Sequence, residues 1–233
     1  MKSPDTERVT VTIDDTHRVS GLLQTPPKPR ACYVLAHGAG AGMDHPFLAS
    51  VAGELKERGI ASLRYQFPYM EAGGKRPDPP RLAQATVRAA VAAASRLLPG
   101  LALIAGGKSF GGRMTSQAQA AAPLAGVRGL AFLGFPLHPA GRPSRDRADH
   151  LFHVRIPMLF LQGTRDALAE LTELEPLCAA LGPRASLKLF QDADHSFHVP
   201  ARSGRNDREI RSDMLDAFAA WADTLIAGPS ISA

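Results

Sequence analysis

Ser109 lies between Gly107 and Gly111, in the stretch LALIAGGKSFGGR that runs from Leu101 to Arg113. A serine hydroxyl is a weak nucleophile at neutral pH and needs a base to take its proton. Histidine suits that task when a buried carboxylate holds it in one tautomer. The chain supplies both groups further on: Asp166 after the apolar run Pro157–Gln162, and His195 after the run Ser186–Phe190. The order Ser109, Asp166, His195 is the one used where the nucleophile sits on a tight strand–turn–helix elbow. Acyl transfer also needs donors for the oxygen that becomes negative. One is expected from the backbone N–H of Phe110. The other is expected from the glycine-dense loop His37-Gly38-Ala39-Gly40-Ala41-Gly42, with Ala39 the first choice and Gly40 the alternative.

Each position has rivals. His198 could replace His195 as base, and Asp146 or Asp149 could replace Asp166 as acid. Asp192 and Asp194 adjoin His195 in the chain and are poorly placed to reach around its ring. Asp166 has a structural use as well, as a cap for a helix starting near Leu168. His37 is expected to shape the glycine loop by hydrogen bonding and not to take part in chemistry. Gly107-Lys108-Ser109 also ends a phosphate-binding loop pattern. That pattern requires a glycine five positions before Gly107, where Ala102 stands inside an apolar run.

The elements that must carry these groups follow from the hydrophobic pattern. Leu101–Ala105 is short and apolar, as a buried parallel strand is. Met114–Ala122 reads as a helix stopped by Pro123. Glycines flanking Ser109 would let the strand and helix meet without side-chain collision. Arg8–Ile13 and Arg18–Leu23 alternate as an antiparallel edge hairpin. Ala31–Ala36, Ile60–Phe67, Gly129–Pro136, Pro157–Gln162 and Ser186–Phe190 read as further strands. Helices are expected over Pro46–Arg58, Arg81–Leu98, Leu168–Leu181 and Asp207–Ile226, followed by a Gly-Pro-Ser tail. The segments 68–80 and 137–150 read as loops over the carboxyl ends of the strands, where such sheets bind ligands. Within the first of them, Arg76 and Asp78 are expected to form a surface ion pair, with substrate contact as the other use. Residues 1–233 thus read as a single α/β domain with a mostly parallel sheet, helices on both faces and a minimal cap.

A hydrophobic content of 45%, a charged content of 21% and a net charge of +5 describe an ordinary globular chain. The arginines are scattered and not interleaved with aromatics, which argues against a nucleic-acid partner. No stretch reaches the length of a membrane span, and the N-terminus lacks the apolar run of a signal peptide. The two cysteines, Cys32 and Cys178, form no disulfide framework or metal-ligand pattern. A cytoplasmic protein is expected, and the sequence carries no signature of its oligomeric state.

Jointly, HGAG at His37–Gly40, RPDP at Arg76–Pro79, GGKS-x-GGR at Gly106–Arg113, LQG-x-x-D at Leu161–Asp166 and DHSF at Asp194–Phe197 resemble a known group. They are similar to small, nearly cap-less serine α/β-hydrolases of the dienelactone-hydrolase-like group, especially a bacterial subset. The resemblance spans the chain after the first hairpin. It implies the α/β-hydrolase fold and hydrolysis of a small-molecule carboxylic ester or thioester, with no cofactor and no metal. Dienelactone hydrolases proper use a cysteine nucleophile, so their particular substrate does not carry over to a chain with Ser109. The wider group includes non-catalytic scaffold members, which is the alternative reading; a nucleotide-binding protein is a more distant one. Arg64, Arg76, Arg142 and Arg145 are the cations that would suit an anionic acyl or alcohol group.

Overall fold

The computed structural model describes residues 6–227; the Gly-Pro-Ser tail lies outside the described residues. In chain order the strands are β1 (Thr6–Thr12), β2 (Arg18–Gln24), β3 (Ala31–Ala36), β4 (Ile60–Tyr65), β5 (Ala102–Lys108), β6 (Val127–Leu133), β7 (Met158–Gly163) and β8 (Ala185–Phe190). The helices are α1 (Pro46–Glu57), α2 (Pro68–Glu71), α3 (Pro80–Leu97), α4 (Phe110–Ala121), α5 (Leu171–Leu181) and α6 (Asp207–Ala227). The strands form one sheet in the order β1-β2-β4-β3-β5-β6-β7-β8. β2 pairs antiparallel with β1 and β4, and every other pairing is parallel. The expected hairpin is therefore present, at one edge of the sheet.

Side chains alternate across the sheet, and this alternation makes two cores. Cys32, Val34 and Ala36 face one side with Val87, Val91 and Met114 from α3 and α4. Ala31, Tyr33 and Leu35 face the other, against Leu48, Val51 and Leu55 of α1 and Ile210, Met214 and Phe218 of α6. The apolar positions of α1 recur at helical spacing. Pro46 opens that helix, and the His45 side chain accepts from the Phe47 N–H at 3.2 Å.

Three differences from the sequence reading lie around the elbow and the loops over it. α4 begins at Phe110, directly after Ser109, not at Met114. Gly111 and Gly112 are poor helix formers and push a propensity reading downstream. Packing overrides propensity here, because a Cβ on Gly111 would lie 2.6 Å from both the Ala36 Cβ and the His37 carbonyl oxygen. Secondly, β5 runs on to Lys108, so a single residue separates strand from helix and no phosphate-sized loop exists there. Thirdly, the expected loop 68–80 contains the short helix α2, opened by Pro68. Segment 137–150 stays largely irregular and runs into a 3-10 helix over Asp146–His153 that packs on α4.

The elbow depends on Gly107. It pairs with Ala36 across the parallel β3–β5 ladder, and a Cβ there would sit 2.2 Å from the Ala36 carbonyl oxygen. Gly107→Ala must push the two central strands apart, and a loss of about 3 kcal/mol or more is expected. Gly53, inside α1, has nothing within 4 Å of its missing side chain. Gly53→Ala is therefore expected to add roughly 0.5–1 kcal/mol through helix propensity alone. Urea unfolding midpoints of the two variants, moving in opposite directions, check both values.

Candidate active site

Ser109, Asp166 and His195 come from three separate connections at the carboxyl ends of β5, β7 and β8, and the structure brings them together. His195 Nε2 lies 2.9 Å from Ser109 Oγ, and His195 Nδ1 lies 2.6 Å from Asp166 Oδ2. An ionised carboxylate only accepts, so Nδ1–H donates to Asp166. That leaves Nε2 as an acceptor facing the serine hydroxyl. The Asp166 side chain is fully buried, while the His195 side chain keeps 23% exposure.

Each member is held by the fold. Ser109 has φ 51° and ψ −115°, a conformation that a non-glycine residue keeps only under constraint. β5 and α4 impose it, and the hydroxyl is thereby pointed out of the sheet. Asp166 also accepts from the Leu168 N–H at 2.8 Å, but in a turn and not at a helix start, so it is not the helix cap expected of it. The helix itself starts later, at Leu171. The buried Gln162 donates to the same Oδ2 that meets His195, and its own Oε1 accepts from the Phe135 N–H at 2.9 Å. His195 rides on a tight loop in which Asp194 accepts from the Ser196 and His198 N–H groups. The Asp192 N–H donates to Thr164 Oγ1 at 2.9 Å, tying that loop to the end of β7.

Lys108 occupies no phosphate site. Its Nζ donates to the backbone carbonyl of His195 and lies 5.6 Å from the centre of the Phe197 ring. Burial pushes this ammonium down to about 8, against the pull of Asp166 and Asp194. The lysine thus fastens the histidine loop to the elbow strand.

Among the described residues, neither the Ala39 nor the Phe110 N–H donates a hydrogen bond. Gly40, the alternative donor, is already engaged: its N–H donates to the Tyr69 hydroxyl at 2.9 Å. Ala39, Phe110 and Ser109 line one cavity of about 360 Å³, walled also by Asp78, Pro136 and Leu168. The rivals lie elsewhere. His198 pairs with Asp207 at the surface, and Asp146 and Asp149 are exposed on the 3-10 helix. Arg76 and Asp78 do not form the expected ion pair; the Asp78 carboxylate accepts from the Tyr69 N–H at 3.1 Å. None of the four arginines considered for an anionic group lines this cavity. Arg64 is buried and donates to the Met43 carbonyl, Arg145 pairs with Glu173, and Arg76 and Arg142 are exposed.

His37 does shape the loop. Its Nδ1–H donates to the Gly38 carbonyl at 2.7 Å, and its Nε2 accepts from the Phe67 N–H at 3.1 Å. Both bonds together require the neutral ring, and burial pushes its pKa from 6.5 down to about 4. Because the folded value is the lower one, protonation favours unfolding. The stabilisation is complete above 6.5 and is lost as pH falls towards 4, amounting to about 3 kcal/mol. His150, pushed to about 4 by burial and by the nearby Arg113 and His153, adds to the same slope. Urea unfolding across this range is expected to show a smaller fall for His37→Gln than for the native chain. Identical slopes would contradict the assignment.

A family model described as an alpha/beta hydrolase domain matches residues 29–223. Among solved structures, the chain is similar to a serine hydrolase without a lid from Xanthomonas campestris. The TM-score is 0.73 at 20% identity, covering 95% of this chain and 97% of that one. An alpha-beta serine hydrolase homologue from Coxiella burnetii gives a TM-score of 0.74 at 15% identity, with 93% and 99% covered. A dienelactone hydrolase from Anabaena variabilis gives 0.71 at 22% identity, with 96% and 98% covered.

Proposed function

The chain belongs to the alpha/beta hydrolase domain family, and from that premise we propose that it is a serine hydrolase cleaving a small-molecule carboxylic ester or thioester. The observation that carries this reading is the hydrogen-bonded series Ser109–His195–Asp166, ending at a strained serine on the wall of a cavity. His195 Nε2 takes the hydroxyl proton as Ser109 Oγ bonds to the acyl carbon. Asp166 stabilises the imidazolium. The N–H groups of Phe110 and Ala39 receive the oxyanion. Collapse breaks the bond to the alcohol or thiol, which leaves with the proton from His195, and the acyl group remains on Ser109. Water then attacks with His195 again as base, releasing the acid and restoring the serine.

The cytoplasmic setting belongs to the same proposal. Cys32 and Cys178 are buried free thiols, and no described helix is long and apolar enough to cross a membrane. A panel of p-nitrophenyl esters and thioesters, run beside labelling with a fluorophosphonate, tests the reading. Turnover together with labelling at Ser109 is expected. A folded chain that is neither labelled nor active would instead be a scaffold.

A further inference from the structure

Arg113 and Arg147 line the same cavity as Ser109, and among the described residues neither forms an ion pair. Arg113 stands one turn into α4, and its backbone N–H donates to the Ser109 carbonyl at 3.1 Å. Its guanidinium carbon lies 6.0 Å from the centre of the Phe110 ring, and its Nε is buried without a hydrogen-bond partner. Arg147 belongs to the 3-10 helix over Asp146–His153. That helix is fastened to α4 by the contact of His150 Nε2 with Ser116 Oγ at 2.7 Å. Two like charges are thus held beside one another by the fold, and their repulsion adds to burial in lowering the Arg113 pKa. The one carboxylate on the cavity wall, Asp78, is engaged with the Tyr69 N–H. Two guanidinium side chains on one cavity wall, with no carboxylate paired to either, leave a surplus of positive charge that calls for an anion.

We infer that Arg113 and Arg147 form a carboxylate-binding subsite, so that the preferred ester carries a carboxylate a short distance from its scissile carbonyl. A planar guanidinium fork matches a carboxylate in two parallel bonds. Ser109 and Arg113 stand about one helical turn apart, roughly 5.4 Å of rise, and both line the one cavity with Arg147, which keeps the anion near the scissile bond. The carboxylate belongs either to the acyl chain or to the leaving alcohol, and the test separates the two.

The inference rests on the ester-hydrolase reading, and the experiment keeps them apart. Three substrates are compared: a neutral aryl valerate, the aryl hemiglutarate, and the acetate ester of 4-hydroxybenzoate. Turnover of the neutral ester reports on the reading itself. The ratio of kcat/KM for either anionic ester to that for the neutral one reports on the subsite. That ratio is expected to fall roughly 10- to 100-fold in Arg113→Gln and in Arg147→Gln. Arg113→Lys is expected to retain part of it, since it keeps the charge and loses the fork. Arg142→Gln, at an exposed position off the cavity, is expected to leave the ratio as it is. Independently of turnover, free glutarate or 4-hydroxybenzoate should slow fluorophosphonate labelling of the native chain, with the protection lost in Arg147→Gln. Equal losses on anionic and neutral esters, or no protection by either acid, would overturn the subsite.

Discussion

Ser109→Ala is expected to lower turnover of a p-nitrophenyl ester by about 10⁴- to 10⁶-fold with the fold retained. The substitution removes the oxygen that His195 Nε2 faces at 2.9 Å and leaves the cavity wall and both candidate oxyanion donors in place. Those donors can still polarise a carbonyl, so activity should fall to a residual level above that of water. The backbone at 109, with φ 51°, is as strained for alanine as for serine, so stability should move little. The measurement is kcat for both proteins together with their urea midpoints and fluorophosphonate labelling. An alanine variant that is folded and equally active would remove Ser109 from the mechanism. One that is inactive because it has unfolded shows a collapsed midpoint and is recognised as such.

Why Ser109, Asp166 and His195 could be read from the chain is a matter of strand ends. A buried parallel strand announces itself as an apolar run, and the residue just after it must lie at the sheet's carboxyl edge. Three such residues with complementary chemistry then have to meet. Gly107 and Gly111 were legible for a related reason. Each stands where a Cβ would strike a neighbouring strand, at 2.2 and 2.6 Å, and a glycine at such a spacing has few other uses.

What the sequence hid depends on contacts between elements distant in the chain. Gln162 reads as the polar end of a strand, and the one signal it carries is that a polar residue closing the run MLFLQ needs a buried partner. Tyr69 sat in a segment read as loop. Its hydroxyl accepts from the Gly40 N–H, which engages the alternative candidate donor and leaves Ala39 as the candidate in that loop. Arg113 and Arg147 were indistinguishable from other arginines, because their meeting is created by the docking of the 146–153 helix on α4. Local reasoning also misled at Arg76 and Asp78, where chain proximity suggested a pair and the carboxylate instead binds the Tyr69 N–H.

Asp166→Asn tests the least visible part of the mechanism, the choice of tautomer. The carboxylate is acceptor to three donors: Leu168 N–H on Oδ1, and both His195 Nδ1 and Gln162 Nε2 on Oδ2. An asparagine has one acceptor oxygen and one donor group. If its oxygen stays with Leu168, the NH₂ faces His195 and Gln162. The ring can then satisfy it only by accepting at Nδ1, which moves the proton to Nε2. A histidine protonated at Nε2 cannot take the proton of Ser109, and a drop in kcat of about 10⁴-fold is expected. If the amide flips instead, its NH₂ opposes the Leu168 N–H, and a buried clash of donors costs about 1–3 kcal/mol of stability. The variant must therefore lose activity, stability or both, with KM changed far less than kcat, because Asp166 is buried and does not line the cavity. Asp149→Asn, an exposed position on the 3-10 helix, should stay within about twofold of the native rate. The reverse result, with Asp149 essential and Asp166 dispensable, would move the orienting acid to the loop after β6.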